Sequence, residues 1–263
     1  STVALLQFQA KILLLFPLLF LRRYCIIKGV RFNEVNYLHF DDILNCVGII
    51  AKYLLPTLKV FFFTLLFSIP LGMIVALIKK CPFKPVSWLI NLYILIMRGT
   101  PLMLQIITIY YAIPMLQKAG HLTGIDIRSD SYQFTALIVA FALNYAAYFA
   151  EIFRGGIEAI PKGQHEASAA LGFTKIQTFF RIILPQVIKR IVPAGANEVI
   201  TLVKDTSLAS VIAYIEIFRK SKELMVTYSN LIPLFIAGVF YFAMNAILTL
   251  IFSAVEKKLD YYK

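Results

Sequence analysis

The sequence predicts an all-α protein that crosses a membrane several times, and three observations support this fold class. Hydrophobic residues make up 60% of the 263 residues and charged residues only 15%, whereas ordinary soluble domains have about 25% charged residues. Several runs are apolar over nearly the length of about 20 residues that a bilayer-spanning helix requires. One polar segment, residues 154–185, interrupts these runs and has the pattern of a helical loop. We therefore predict a polytopic transmembrane helix bundle with one short helix in a cytoplasmic loop.

Five core helices are predicted in residues 36–263, which we interpret as one transmembrane domain. Their approximate limits are 60–78, 86–116, 132–150, 191–217 and 231–255. The second is long enough only if its helix continues through Arg98-Gly99-Thr100-Pro101, and the fourth contains Glu198, Lys204 and Asp205. Residues 40–55 are predicted to form an amphipathic helix on the outer surface that leads into the first span.

The N-terminal extension, residues 1–35, has three interpretations that the sequence leaves open. Residues 3–21 are apolar apart from two glutamines and Lys11, and Arg22-Arg23 follow them. The extension could be an additional span, an interfacial helix lying on the membrane, or a signal-like leader. A leader carries its basic residues before the apolar run rather than after it, so the order of charges disfavours the last interpretation.

The distribution of Lys and Arg sets the expected orientation, because cytoplasmic loops retain an excess of basic residues. One set of loops contains thirteen Lys and Arg residues and the opposite set contains five. The basic-rich set includes residues 154–190 and the C-terminus, so both are expected in the cytoplasm. The opposite set comprises Lys118, Arg128, Arg219, Lys220 and Lys222, which are expected outside. Topology thus explains the net charge of +12, and no nucleic acid is expected as a partner.

The residue types that would indicate an enzyme or a metal site lack the required spacing. The chain has no G-x4-G-K-[S/T] phosphate loop, so we expect it to bind no ATP by that device. Its three cysteines and three histidines show neither metal-ligand nor catalytic spacing. They are Cys25, Cys46, Cys81, His39, His121 and His165. We expect no enzymatic activity, no metal and no cofactor in this chain. A secondary transporter or channel remains the alternative, although no inverted pair of broken helices is evident.

The polar loop carries the most specific motif of the chain. Pro161 suits the first turn of a helix, Gly172 suits a left-handed C-cap, and Pro185 restricts the backbone just before the next hydrophobic run. Between them the sequence follows the pattern E-A-(A/S)-x3-G-x9-I-x-L-P. The positions that fit the pattern are Glu166, Ala167, Ser168, Gly172, Ile182, Leu184 and Pro185. An ordinary amphipathic loop helix is the alternative interpretation.

Ionisable residues inside the fourth predicted span form a candidate substrate site. Charged side chains at membrane depth cost roughly 2.5–3.5 kcal/mol on insertion scales and face a polar interior. Glu198 and Asp205 are seven residues apart, so a helix places both on one face, with Thr201 and Leu202 between them on that face and Asn197 and Lys204 nearby. Two anions and one cation suit a ligand that has an ammonium group and a carboxylate. The alternative is a structural ion pair of Lys204 with Glu198 or Asp205.

Two further segments are candidates for conformational or structural roles. Gly99-Thr100-Pro101 is expected to break or kink a helix, so Arg98–Pro101 could be a gate or hinge, or simply a helix start. In the third span, Asn144 is expected to bridge helices. Glu151 and Arg154 are three residues apart and are expected to form an ordinary ion pair.

The loop motif, the Arg98-Gly99-Thr100-Pro101 segment and the runs 144–156 (NYAAYFAEIFRGG) and 204–210 (KDTSLAS) resemble the polar amino-acid branch of ABC-importer permeases. The resemblance covers about residue 36 to the C-terminus. It implies five core helices, a homodimer or heterodimer with a second permease, and a multi-pass location in the bacterial cell membrane. It further implies two cytosolic ATPases that bind ATP and Mg²⁺, and an extracytoplasmic protein that delivers the amino acid.

The same resemblance implies roles for particular residues. The 158–185 loop would be the coupling segment that docks on the ATPase. Residues matching Glu198, Lys204 and Asp205 contact the substrate in those relatives that have a membrane binding site. The resemblance thus implies alternating access, in which ATP binding on the partner moves the coupling segments and opens the helix bundle outward.

Overall fold

The structure is a computed structural model that describes residues 40–120, 126–127 and 129–259, and these residues contain helices and no strand. The α-helices are α1 (Phe40–Ala51), α2 (Leu54–Lys79), α3 (Lys84–Gly99), α4 (Leu102–Lys118), α5 (Asp130–Glu158), α6 (Lys162–Ala170), α7 (Lys175–Thr178), α8 (Leu184–Asp205), α9 (Ile217–Tyr228) and α10 (Ile232–Leu259). A π-helical segment, Phe179–Ile183, precedes α8, and a 3₁₀ segment, Thr206–Ile212, follows it. Residues 1–35, for which the sequence left three interpretations, lie outside the described residues.

The all-α membrane fold predicted from composition is confirmed. In the described part of the chain, three helical stretches are long and apolar enough to cross a membrane, namely Asp41–Lys79, Asp130–Glu158 and Ile232–Leu259. Helices α3 and α4 meet the same requirement as a bent pair. Helix α8 has 22 residues but is too rich in charged residues to qualify. Its polarity indicates that it faces protein or water rather than lipid along part of its surface.

The break or kink expected at Gly99-Thr100-Pro101 is confirmed, whereas the continuous helix that the second predicted span required is wrong. Helix α3 ends at Gly99, α4 begins at Leu102, and their axes differ by 111°. The physical reason is the proline, because the residue before a proline is driven out of the helical region. Thr100 accordingly has φ −116° and ψ 148°, which is extended backbone.

The fourth predicted span is also shorter as a continuous α-helix than expected. Helix α8 begins at Leu184 and ends at Asp205, and the 3₁₀ segment carries the chain to Ile212. The α-helix ends where two hydroxyl groups compete with backbone N–H groups for the helix carbonyls, since Ser and Thr side chains can bond to nearby carbonyls. Thr206 Oγ1 donates to Val203 O (2.6 Å) and Ser207 Oγ donates to Lys204 O (2.7 Å). The tighter backbone follows directly after the ionisable residues.

The chain divides into two compact units. The described part of the first comprises residues 40–57 and 215–248. Its core is apolar, with α1 and α9 packed against each other and the first half of α10 beside them. The buried members are Cys46, Ile50, Ile217, Leu224 and Ala237. The amphipathic helix predicted for residues 40–55 corresponds to α1, which buries Cys46 and Ile50 and exposes Leu44.

The second unit comprises the described residues among 58–214 and 249–259 and holds every candidate site residue. Helix α5 is its central element and contacts α3, α4 and α8. A run of small side chains on α5 allows close helix packing, as is usual in membrane bundles. At Gly72 of α2, an added Cβ atom would lie only 2.7 Å from Phe149 Cβ and 3.0 Å from the Ala146 carbonyl oxygen.

Candidate functional site

The first half of the polar loop has the helix that the sequence predicts. Pro161 is the N-cap of α6, and Gly172 follows its C-terminal end with a left-handed φ of 78°. The Phe173 N–H donates to Ser168 O and the Gly172 N–H donates to Ala169 O, both at 3.0 Å. These two bonds form a Schellman motif, which satisfies carbonyls that the helix end leaves free. Glycine is therefore required by the backbone at position 172.

The second half of the loop has a feature that the sequence did not indicate. Helix α7 begins with a reciprocal capping box between Thr174 and Gln177, but the helix then widens into the π-helical segment Phe179–Ile183 before α8 starts. Pro185 lies in the first turn of α8, but helical backbone continues into it from the π-helical segment, so its missing N–H removes one i→i−4 hydrogen bond at this point. Ile182 packs on a small buried cluster, which fixes the base of the loop. The cluster comprises Ile160, Ile183 and Val187.

The loop presents both polar and apolar side chains at its surface. Glu166 and Ala167 are exposed on α6, whereas Ser168 is buried and its Oγ donates to His165 O at 2.8 Å. Three large apolar side chains around the two short helices are strongly exposed. They are Leu171 (75%), Ile176 (72%) and Phe180 (62%). Large apolar side chains exposed in a polar loop are consistent with a protein interaction surface.

Helix α8 separates the predicted substrate residues onto two neighbouring faces. Glu198 and Asp205 are half-buried on the same face, as predicted, and Leu202 lies between them with no exposed surface. The Tyr145 hydroxyl of α5 donates to the Asp205 carboxylate at 2.7 Å. The sequence does not indicate this partner for Tyr145, because the bond joins residues 60 positions apart.

The second face of α8 contains the exposed residues Asn197, Thr201 and Lys204. Thr201 was expected between the two carboxylates but lies on this exposed face instead. No salt bridge within 4.0 Å joins Lys204 to Glu198 or Asp205 in the described part of the chain, so the structure does not show the alternative of a structural ion pair. The ammonium group of Lys204 is therefore accessible to a ligand.

A buried amide network holds the break between α3 and α4. Gln105 Nε2 donates to Met97 O (3.0 Å), Thr100 O (3.2 Å) and Thr100 Oγ1 (2.8 Å). Asn144 Nδ2 of α5 donates to Met97 O and to Gln105 Oε1, both at 2.9 Å. The prediction that Asn144 bridges helices is confirmed. The freed carbonyls at the end of α3 thus receive side-chain donors, which fixes the bend.

A cavity of about 420 Å³ opens beside this break. Arg98 lines it and places its guanidinium 5.1 Å from the centre of the Tyr148 ring, a cation–π contact. Lys79 and Glu151 line it too and form an ion pair at 2.6 Å. Glu151 is paired with Arg154 as well, as the sequence predicts. The cavity thus combines charged groups of both signs from three helices.

This fold defines a multi-span membrane protein of the permease type, with a projecting helical loop and a polar helix in its bundle. Residues 68–261 match the family model described as the inner membrane component of binding-protein-dependent transport systems. This match covers well over half of the chain, so the protein belongs to that family.

Individual relatives agree with the family. An arginine transport system permease protein of Bacillus subtilis (strain 168) is 39% identical over 223 residues, which are 84% of this chain and 97% of the relative. An L-cystine transport system permease protein of the same organism is 34% identical over 208 residues, 78% of this chain and 84% of the relative. The crystal structure of an amino acid ABC transporter with histidines has a chain with a TM-score of 0.73 and 33% identity, covering 84% of this chain and 99% of that one.

Proposed function

We propose that this chain is the permease subunit of an ATP-driven importer of polar amino acids, and that the 158–185 loop docks on a separate cytosolic ATPase. The exposed loop carries the proposal, because its two short helices are capped and three large apolar side chains stand exposed beside its polar ones. Leu171, Ile176 and Phe180 offer the kind of hydrophobic anchors that fill pockets at protein interfaces. The names of the relatives, permeases for arginine and L-cystine, support an amino acid as cargo.

The proposed assembly has a second permease copy or homologue, two ATPases and an extracytoplasmic binding protein. ATP and Mg²⁺ bind to the ATPases, and this chain contributes no cofactor or catalytic group. The location is the bacterial cell membrane, with the loop and the C-terminus in the cytoplasm as the distribution of basic residues indicates. Movement of the ATPases is transmitted through α6 and α7 to α5 and α8, which flank the loop directly.

The proposed substrate site lies along α8. Glu198 and Asp205 bind the ammonium group of an amino acid from the half-buried face, and Lys204 binds the carboxylate from the exposed face. Asn197 and Thr201 offer neutral hydrogen-bonding groups on the exposed face. Arg98–Pro101 acts as a gate or hinge, because the helix axis turns there and the adjoining cavity lies beside the same bundle.

The coupling role is tested with Glu166→Arg and Gly172→Pro in the complete transporter reconstituted in vesicles. Both variants should keep ATP hydrolysis but lose most of the uptake per ATP hydrolysed, since the first reverses a surface charge and the second breaks the left-handed cap. Gly163→Ala serves as the matched loop control, because an added Cβ there meets nothing within 4 Å. Normal uptake by both variants, or uptake by wild type without any ATPase, would contradict the proposal.

The substrate site is tested by binding of labelled amino acids to the purified complex. Glu198→Gln should weaken binding of the ammonium group, and Lys204→Met should weaken binding of the carboxylate, each by about tenfold for a loss of 1.4 kcal/mol. Lys118→Met changes an exposed lysine at the end of α4 and controls for altered net charge. Equal affinity in all proteins would exclude this site.

A further inference from the structure

Helix α9, in the first unit, is rich in basic residues. It is nevertheless expected on the extracytoplasmic side of the membrane, where basic residues are usually depleted. Arg219, Lys220 and Lys222 lie within its 12 residues and Glu223 is its sole acidic residue. The distribution of Lys and Arg along the chain places this helix outside the cell. Retention in the cytoplasm therefore does not account for its charges.

The helix is held rigidly from its first turn. Glu216, whose side chain has no exposed surface, accepts hydrogen bonds from the N–H groups of Phe218 and Arg219, each at 2.7 Å. The Tyr241 hydroxyl donates to the same carboxylate at 2.7 Å, and the Ile217 N–H donates to Thr57 Oγ1 at 3.3 Å. A carboxylate at the N-terminus also opposes the helix dipole favourably. These hydrogen bonds fix the N-terminus of α9 to α10 and to the first turn of α2.

The apolar side of α9 is already covered by protein. Ile217, Ser221 and Leu224 are buried at helical spacing, and the two apolar residues pack in the core with Cys46 and Ile50 of α1. Helices that lie on a bilayer bury their apolar face in the lipid instead. The apolar side of α9 is therefore not available to insert into a bilayer, and the side that the chain leaves exposed is available to a partner.

That exposed side carries a basic stripe. Glu223 pairs with both Arg219 (3.2 Å) and Lys220 (3.1 Å). Burial raises the pKa of the Glu223 carboxyl, but the hydrogen bonds from Lys220 and Arg219 outweigh it and lower that pKa overall. The carboxylate is thus charged at neutral pH and leaves this trio with one excess positive charge. Lys222 is exposed and, among the described residues, forms no ion pair.

We propose that the exposed face of α9 is a docking surface for an acidic patch of the extracytoplasmic binding protein. This inference rests on the proposed function. The family is one of binding-protein-dependent systems, and a rigid helix with an exposed basic side fits a folded acidic protein surface. Lys222 and Val226 are one helical turn apart, and Val226 is 68% exposed. An apolar contact flanked by charges is the usual composition of a non-obligate interface.

The experiment uses the complete transporter in nanodiscs and its amino-acid-loaded binding protein as the probe. The measured quantity is the concentration of binding protein that gives half-maximal stimulation of ATP hydrolysis, at low and high salt. Lys222→Glu should raise this concentration by roughly three- to tenfold at low salt, because charges at an interface rim act mainly on association. The maximal rate and the rate without binding protein should not change.

Two variants provide matched controls. Lys222→Arg keeps the charge and should behave as wild type. Lys118→Glu makes the same charge change at the end of α4, on an exposed residue expected on the same side of the membrane, and should also behave as wild type. An unchanged half-maximal concentration for Lys222→Glu, or an equal shift for Lys118→Glu, would overturn the docking surface.

Two further outcomes distinguish protein docking from lipid binding and from failure of the importer function. If the effect of Lys222→Glu occurs only in nanodiscs with anionic lipid, α9 binds lipid headgroups and the proposal is wrong. If wild type shows no stimulation by the binding protein at all, the proposed importer function itself fails, whereas stimulated wild type with an unaffected Lys222→Glu variant refutes the surface alone.

Discussion

The Tyr145 hydroxyl of α5 donates a 2.7 Å hydrogen bond to the carboxylate of Asp205, the last residue of α8. Tyr145 is almost fully buried, and the bond ties the central helix to the point where α8 gives way to 3₁₀ backbone. It orients one of the two acidic groups proposed to bind the ammonium group of the cargo.

We expect Tyr145→Phe to destabilise the protein by about 1.5–3 kcal/mol, the usual contribution of a hydrogen bond to a charged group. Substrate affinity should fall as well, because the carboxylate loses its orienting donor. Thermal unfolding in detergent and binding of labelled amino acids measure the two effects. Tyr148→Phe is the matched control, since within the described residues the Tyr148 hydroxyl forms no hydrogen bond and its ring keeps the contact with Arg98. Equal behaviour of the two variants would show that the bond to Asp205 has no such role.

A second prediction concerns the bend between α3 and α4. Gln105→Leu removes the donors to the carbonyl groups of Met97 and Thr100 and leaves the Asn144 amide without one of its acceptors. Each buried group left unsatisfied costs about 1–3 kcal/mol, so the thermal midpoint should drop clearly. Thr108→Val on the same helix removes a hydroxyl that bonds only within its own turn, and its midpoint should stay close to that of wild type. A Gln105→Leu variant as stable as wild type would mean that Pro101 alone maintains the bend.

Gly172 provides a third prediction, because its φ of 78° is strained for any side chain. Gly172→Ala should weaken the end of α6 by roughly 1–2 kcal/mol without unfolding the membrane helices. Hydrogen exchange should then be faster for the Gly172 and Phe173 amides, whose bonds close the Schellman motif. Gly163→Ala lies inside α6 in open space and should leave this exchange unchanged or slower. Unchanged exchange in Gly172→Ala would indicate that the cap adapts.

Local backbone chemistry explains what the sequence could predict. Pro161, Gly172 and Pro185 act through their own φ angles or missing N–H groups, so their positions in the loop followed from residue type alone. The same holds for the break before Pro101, which divides the second predicted span into two helices. Proline predicts that a helix ends, but the 111° turn of the next helix is set by tertiary partners.

Contacts between helices could not be predicted in this way. Gln105 and Asn144 are 39 positions apart, and Lys79 and Glu151 are 72 positions apart. Hydrophobic periodicity says which face of a helix is buried but not which polar group lies across the interface. Thr201 is an example. Helical spacing places it close to Glu198 and Asp205 on α8, but its exposure depends on where α5 packs against that helix.

The close approach of α2 and α5 gives the last prediction. A Cβ atom at Gly72 would lie 2.7 Å from Phe149 Cβ, 3.0 Å from Ala146 O and 3.2 Å from Ala150 N. Backbone and Cβ atoms cannot rotate away, so the two helices must separate and lose packing along their contact. We expect Gly72→Ala to destabilise the protein by about 1–3 kcal/mol, the usual range for overpacking.

The matched control for this change is Gly238→Ala in α10, where an added Cβ meets nothing within 4 Å. Alanine favours a helix over glycine by about 1 kcal/mol, so this variant should be as stable as wild type or slightly more stable. Thermal unfolding of both purified variants in the same detergent measures the difference. The separation of α2 and α5 would move Glu151 away from Lys79. Reversing the charge of one member of this pair should therefore destabilise the Gly72→Ala variant less than it destabilises wild type. Equal costs in both backgrounds would show that the helices tolerate the methyl group without moving apart.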